Sequence, residues 1–328
     1  MLNDFRYDTS FNVLITSISK KTPLIKAVRK AFIKIGNSGK IYGADANFDC
    51  IGRFFVDSFW MIPKLSNLTI DIVIQFCLKN SISCIIPTRD GELVFFATHK
   101  STFNKHGISV MVSDLAEIVV CLDKFLFYQK CLYLGLPAIP TSLDLEKLLN
   151  DFYVVKERLG AGAKQIGIKL LLQDAQKHSL SLGVPIFQPF IEGEEYSIDV
   201  FVGKNGKAKG AVVRKRDLVV HGESQITTVF KYDLLEQNAC KWAEMLNLYG
   251  HAVFQVIIDK NDQFHIVECN SRFGGASSLS IEMGLDSFYW FFLEMLGASL
   301  DDYKFIPSKH TKKQVRYAED LIIDDNCF

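Results

Sequence analysis

The chain has 328 residues, 48% hydrophobic and 23% charged, a globular composition with enough apolar material for two or three domains. Lys plus Arg and Asp plus Glu each number 37, so no global charge points to nucleic acid or a membrane surface. Eight scattered cysteines without a CxxC pair argue against a zinc site or disulfide framework and fit a reducing cytosol. The start, MLNDFRYDTSF, lacks the regions of a signal peptide, and no apolar run is long enough to span a bilayer. A cytoplasmic protein with no nucleic-acid or membrane partner is expected.

Residues 1–11 read as a loose leader, and residues 12–113 as an α/β domain. Asn12 to Ser17 is a buried strand. Thr22-Pro23 then opens a helix with cap and first-turn proline in place, its apolar face being Leu24, Ile25, Val28 and Phe32. Lys40 to Asp45 reads as a strand, Asp71 to Lys79 as a helix, and Ser83 to Pro87 as a strand. Such alternation indicates a parallel sheet covered by helices. The first turn is SISKKT rather than GxGxxG, so a dinucleotide site there has no support.

Around Ser113 the pattern changes. Asp123 caps a helix that stops at Gly135, and Pro137 and Pro140 make the following connection extended. A strand at Tyr153 to Glu157, a Gly-rich loop at Gly160 to Gly167, a strand at Ile168 to Leu172 and a helix from Asp174 come next. From Ile186 the chain reads as mostly antiparallel β, with Lys204-Asn205-Gly206 as a hairpin turn. The helix Asp233 to Tyr249 leads into a second hairpin, and helices follow at Ser277 to Met283 and Ser287 to Leu296. The tail, 307–328, fits a strand, a cap or disorder.

The most informative stretch is GHAVFQVIIDKNDQFHIVECNSRFGGA, residues 250–276. Two β-branched and aromatic runs flank Lys260-Asn261-Asp262-Gln263, which reads as a hairpin. With Asn261 and Asp262 as the turn, Gln255 lies opposite Glu268, and Asn270 shares their face. A carboxylate and two amide oxygens then converge, a donor set suited to Mg²⁺ held together with nucleotide phosphates, with Arg272 following as a fixed positive charge. Phe254, Val256, Ile258, Val267 and Cys269 fill the opposite face. A surface hairpin with solvated polar residues is the alternative, but apolar residues on both faces favour burial, and a buried carboxylate needs a cation or strong donor.

Lys156 emerges from the apolar strand FYVVKE beside Gly160-Ala161-Gly162-Ala163-Lys164, where backbone N–H groups could approach phosphate oxygens. No Walker motif is present, and a solvated hairpin loop explains the segment about as well. IFQPFIEGEEYS runs an apolar strand into Glu192, Glu194 and Glu195. It offers either a purine edge with a ribose-holding carboxylate or a plain strand end.

Asp123-Lys124, Lys156 with its loop, QPFIEGEE, and Gln255 with ECNSRFGG occur in an order that resembles the ATP-grasp superfamily. The nearest branch is carbamoyl-phosphate-synthase-like, whose metal hairpin has the Gln…Glu-x-Asn-x-Arg form. The resemblance runs from residue 12 to about 300. It implies a Rossmann-like parallel-sheet domain followed by a two-lobed grasp over 114–306, with lobes near 114–187 and 188–306. It further implies that Lys124 and Lys156 contact nucleotide phosphates under a loop containing Gly160, Gly162 and Lys164. Gln188, Phe190 and Ile191 would border adenine, and Glu195 would hold the ribose. Gln255, Glu268 and Asn270 would bind Mg²⁺, or Mn²⁺ in its place, with Arg272 near the transferred phosphoryl group.

VVRKRDLVVHGES lies where relatives place substrate-facing groups, making Arg214, Arg216 and His221 catalytic candidates. A plain charged strand serves equally for the arginines; for His221, whose loop is one residue shorter than the synthase's His-Thr-Gly-Asp-Ser, a loop histidine with no catalytic role is the alternative. Arg89, at the end of SCIIP, is either a carboxylate anchor or a surface arginine. The run Tyr289 to Phe292 reads as core or a homodimer contact. The implied activity is ATP- and Mg²⁺-dependent joining of a small-molecule carboxylate to an amine through an acyl phosphate. Bicarbonate activation and a non-catalytic nucleotide-binding protein are the alternatives.

Overall fold

The computed structural model describes residues 10–160, 165–220 and 223–323; Gly162, Lys164 and His221 lie outside the described residues. Strands β1 (Asn12–Thr16), β2 (Ile41–Asp45), β3 (Ser58–Met61), β4 (Ile82–Ile86) and β5 (Ser109–Val110) pair in parallel in the order β3-β2-β1-β4-β5. Helices α1 (Thr22–Ile35), α2 (Ile70–Lys79), α3 (Asp90–Thr98), α4 (Lys100–Lys105) and α5 (Leu115–Leu122) accompany them. β1 lies between β2 and β4, so successive crossovers leave it in opposite directions. That switch point opens a crevice at the strands' carboxyl ends. Lys21, not Thr22, occupies the α1 cap position, with Pro23 in the first turn; the helix stops at Gly36, whose φ of 75° suits a residue without Cβ. Phe11, inside the supposed leader, is buried with its ring 5.2 Å from both Phe32 and Phe292.

Asp123 caps α6 (Lys124–Leu134) as its sequence suggests, accepting from the backbone N–H groups of Phe125 and Leu126 at 3.0 and 3.1 Å. A small antiparallel sheet follows, ordered β7-β6-β8, from β6 (Tyr153–Glu157), β7 (Gly167–Leu170) and β8 (Pro185–Pro189). Helix α7 (Leu172–Ser179) starts two residues before Asp174, which shortens the strand expected to reach Leu172. Tyr153, Val155, Ala175 and Phe187 form this lobe's own core.

The third sheet has order β13-β12-β9-β10-β11-β14 and is antiparallel in each pairing. Its strands are β9 (Gly193–Val202), β10 (Ala208–Val220), β11 (Glu223–Val229), β12 (Gly250–Asp259), β13 (Phe264–Asn270) and β14 (Lys313–Val315). Tyr196, Ile198, Val200 and Val202, every second residue of β9, pack against Leu235, Ala239, Trp242 and Ala243 of α8 (Asp233–Met245). The other face is divided. α9 (Ser277–Glu282) and α10 (Ser287–Met295) cover one half, and the rest is open.

Tyr289 of α10 is half-buried, while Trp290, Phe291 and Phe292 are buried in the core shared with α1 and the parallel sheet. Each such ring contributes about 1.5–3 kcal/mol by its burial, which welds the parallel sheet to the six-stranded one. The expected parallel α/β sheet followed by antiparallel lobes is present.

The signature hairpin departs from the sequence reading in one instructive respect. Its turn closes one residue earlier than Asn261-Asp262 requires: Asp259 N–H donates to Gln263 O at 3.1 Å, and Asp262 takes a φ of 57°. Ile258 pairs with Phe264 and Val256 with Ile266, a register that alone would misplace Glu268. A β-bulge at Val267 absorbs the offset, and Gln255 pairs with Glu268 after all. Consequently Ile266 takes the core place assigned above to Val267, and Val267 lines the open side.

Candidate active site

The open half of the six-stranded sheet is the floor of a cleft of about 1640 Å³. Strand register lays a row across it: Glu268 opposite Gln255, Gln255 opposite Ser197, Ser197 opposite Arg214. A neighbouring row runs from Ile257 to Glu195 on β9 and from Arg216 through Thr227 to Gln314 on β10, β11 and β14. Arg216 joins the two parts by donating from NH1 to Glu195 Oε1 at 3.1 Å. Gln255, Glu268, Asn270, Arg272, Arg214 and Arg216 therefore meet on one surface, as do Glu195 and its neighbours.

The small sheet supplies the facing wall through Lys156, Gln188, Phe190 and Ile191, with Lys124 and Gly160 at its edge. Lys156 is 5% exposed and makes no ion pair among the described residues. Burial lowers its pKa to about 8, against the opposing pull of Glu268; Lys124 lowers it further. Lys124 donates to Gly160 O at 2.8 Å, tying the head of α6 to the Gly-rich loop. The Gln188 side chain is buried and spent on Thr141 Oγ1 at 2.8 Å, which leaves backbone and the Phe190 and Ile191 side chains as the edge of the wall. Gly193 sits where a Cβ would lie 2.2 Å from Ile258 O, so β9 starts with a glycine to pass β12 closely.

Glu268 accepts from Asn270 Nδ2 at 2.9 Å and has no cation partner among the described residues. Asn270 Oδ1 accepts from Arg272 at 3.3 Å. Arg272 itself is turned toward the parallel-sheet domain: its Nε donates to Asp90 Oδ1 at 2.7 Å and its NH2 to Asp90 Oδ2. A further N–H, on NH1, donates to Phe273 O at 3.0 Å. This fork-on-carboxylate pairing occupies much of the guanidinium that the sequence reading assigned to phosphoryl oxygens.

Beneath the floor lies a buried polar network that sequence reasoning missed. Asp199 is fully buried and bonds Arg214 Nε, His251 Nε2 at 2.9 Å, Ser280 Oγ at 2.8 Å, and Ser277 Oγ. Burial pushes the Asp199 carboxyl up, but Arg214 and His251 outweigh it and hold it below the ordinary range. Burial likewise lowers His251, against Asp199's pull, so the imidazole is neutral. With Asp199 ionised, Nε2–H donates to it and Nδ1 accepts from Ser287 Oγ at 2.9 Å. Phe273 stacks on the imidazole at 4.1 Å, and Gly274 N–H donates to Ser277 Oγ at 2.8 Å. The network thus fixes Arg214 and the Phe273-Gly274 backbone together. His251 is structural.

Two further groups complete the walls. Lys21 and Arg89 enter from the crevice of the parallel sheet, and Arg89 occupies the cap position of α3. From the tail, β14 extends the sheet edge, and Arg316 beyond it donates from NH2 to Gly275 O at 2.6 Å. Of the three forms open to the tail, a strand is thus realised over Lys313–Val315. Among the described residues no helix is long and apolar enough to cross a membrane, and the cysteines are free, five of them buried.

Residues 184–321 match the family described as ATP-grasp in the biosynthetic pathway with Ter operon, and residues 13–111 match the PylC-like N-terminal domain. A carbamoyl-phosphate synthase of Methanobrevibacter smithii is 23% identical over 256 residues, spanning 72% of this chain and 68% of that protein. Biotin carboxylase of Campylobacter jejuni, solved with β,γ-ATP, superposes with a TM-score of 0.70 at 17% identity, over 91% of this chain and 72% of that one. N5-carboxyaminoimidazole synthetase of Staphylococcus aureus, complexed with ADP, gives 0.70 at 18%, over 89% and 79%. An L-amino acid ligase of Bacillus licheniformis gives 0.69 at 15%, over 93% and 79%. The ATP-grasp match toward one end, the PylC-like match toward the other and the likeness to a carbamoyl-phosphate synthase agree with the ATP-grasp resemblance, and the solved structures share this chain's fold.

Proposed function

We propose that the protein is an ATP-dependent ligase that activates a small-molecule carboxylate as an acyl phosphate and joins it to an amine. One observation carries the reading. A carboxylate without a cation, Glu268, and a buried ammonium without an ion pair, Lys156, both so among the described residues, line one cleft in which amide oxygens flank the carboxylate. Each half is costly alone and complementary to a metal–triphosphate. Glu268, Asn270 and Gln255 would hold Mg²⁺, which when bound neutralises phosphate charge; Mn²⁺ satisfies the same oxygen donors.

Lys156 and Lys124 attract the phosphates, and the wall of Phe190 and Ile191 takes the adenine, with Glu195 at the ribose. A substrate carboxylate oxygen attacks the γ-phosphorus, the bond to the β-phosphate oxygen breaks, and ADP leaves. The amine nitrogen then attacks the acyl carbon, phosphate departs, and the nitrogen loses a proton. Arg214, held at Nε by Asp199, directs its terminal N–H groups at the developing negative oxygens. Arg272, through Asp90, positions the parallel-sheet wall against the floor, which differs from the direct phosphoryl contact first expected.

The likeness to a carbamoyl-phosphate synthase and a biotin carboxylase favours one second reading, in which the activated acid is bicarbonate. An ADP-release screen of acid–amine pairs, with mass detection of products, tests the first reading. Bicarbonate-dependent ADP release without any amine would replace it with the second. Tight ATP binding with no turnover across the screen would leave a nucleotide-binding protein.

A further inference from the structure

A second cavity, of about 740 Å³, lies at the carboxyl ends of the parallel strands, and Ser19, Lys21 and Arg89 line both it and the main cleft. The two spaces therefore meet at these side chains. The crevice is the switch point of the sheet, between the loops that follow β1 and β4, where open α/β sheets take ligands.

Two cations at this junction have no ion pair among the described residues. Lys21 Nζ donates to Thr88 O and Thr88 Oγ1, both at 2.7 Å, and makes no ion pair among the described residues. Arg89 donates from Nε to Ser17 Oγ at 3.3 Å and likewise pairs with no carboxylate among them. The three nearby acids are already committed. Glu92 accepts from Thr16, Ser17 and the Thr88 and Arg89 backbone N–H groups. Asp90 is held by Arg272, and Asp45 accepts from the N–H groups of Ser19 and Asn47. Burial lowers the Lys21 pKa to about 8, and the pull of Glu92 and Asp90 offsets that cost only in part.

We infer that Lys21 and Arg89 form an anion subsite that binds a carboxylate or phosphate of the substrate, remote from its reacting carboxylate. The substrate is then an elongated molecule with two acidic ends: one is anchored at the junction, and the other lies over the floor beside Arg214. This rests on the ligase reading for the second end, while the anchoring stands on its own geometry. SISKKT, which lacks the glycines of a dinucleotide turn, presents a lysine instead at the same end of β1.

Competitive labelling of the whole protein tests it. A limiting dose of acetic anhydride is applied in glutarate, inorganic phosphate or potassium chloride at equal ionic strength, and acetylation of Lys21 is read by peptide mass spectrometry. Relative to chloride, glutarate or phosphate slows acetylation of Lys21 about tenfold, and Arg89→Ala abolishes the protection. Which salt protects tells carboxylate from phosphate. Equal Lys21 rates in the three salts, or full protection persisting in Arg89→Ala, overturns the inference. In Glu268→Gln the protection persists, so a chain that fails to turn over ATP yet protects Lys21 loses the ligase reading and keeps the subsite. Normal turnover with no protection gives the reverse.

Discussion

Arg272 and Asp90 lie 182 residues apart and form a two-pronged ion pair that closes one end of the cleft. Arg272 follows the signature hairpin directly, and Asp90 opens α3 of the parallel-sheet domain. Both side chains are 18% exposed, so the pair is shielded from solvent more than a surface bridge. The geometry of the hairpin is thereby tied to the wall that carries Lys21 and Arg89.

Removing one partner strands the other's charge. Asp90→Ala should cost about 2–3 kcal/mol of stability, and the double variant with Arg272→Ala less than the sum of the singles. Urea denaturation of the four proteins in a double-mutant cycle gives the coupling. A coupling indistinguishable from zero would show that the pair ties nothing together.

Lys156→Met should act oppositely on stability and on binding. Without ligand the apolar side chain removes a buried ammonium, so the melting temperature holds or rises. Nucleotide affinity, measured by calorimetry with ADP and Mg²⁺, should fall about tenfold to a hundredfold with the lost charged hydrogen bonds. In the unliganded protein Lys156 loses its proton as pH rises through about 8, so wild-type affinity should decline above that value while the variant's profile stays flat there. Unchanged affinity in Lys156→Met would remove this lysine from the phosphate site.

The Asp199 network predicts the direction of acid sensitivity. Both Asp199 and His251 have folded pKa values below their unfolded ones, so the unfolded chain binds more protons on acidification. His251 contributes stability that is complete above its unfolded value of about 6.5 and is lost as pH falls toward the folded value. Asp199 contributes stability present above about 3.9 and lost only at still lower pH. Urea midpoints should therefore fall from pH 7.5 to 5.5 in the wild type and less steeply in His251→Gln. A slope unaltered by that substitution would mean that the histidine is not buried neutral.

Much of this was legible in the residues, and the failures have physical causes. The pairing of Gln255 with Glu268 could be read from period-two alternation. The bulge could not, because Ile266 and Val267 are both apolar and either could face the core. Helix α3, DGELVFFAT, hides from periodicity because apolar side chains surround much of it. Strand β14 is three residues long, KQV, and exists only because β11 offers an open edge. Nothing local in SISKKT marks Lys21, because its missing glycines speak only against a dinucleotide turn. The partners Asp90 and Asp199 are set by tertiary packing across many residues, which no local pattern encodes.

Magnesium-dependent ADP release by wild type and Glu268→Gln, with circular dichroism of both, bears most directly on the central claim. With an accepted acid–amine pair, Glu268→Gln should lose at least about a hundredfold in ADP formation while its spectrum and melting temperature stay near wild type. Wild-type rates in the folded variant would contradict the account, because the carboxylate that pulls most strongly on the ammonium of Lys156 would then have no part in the chemistry.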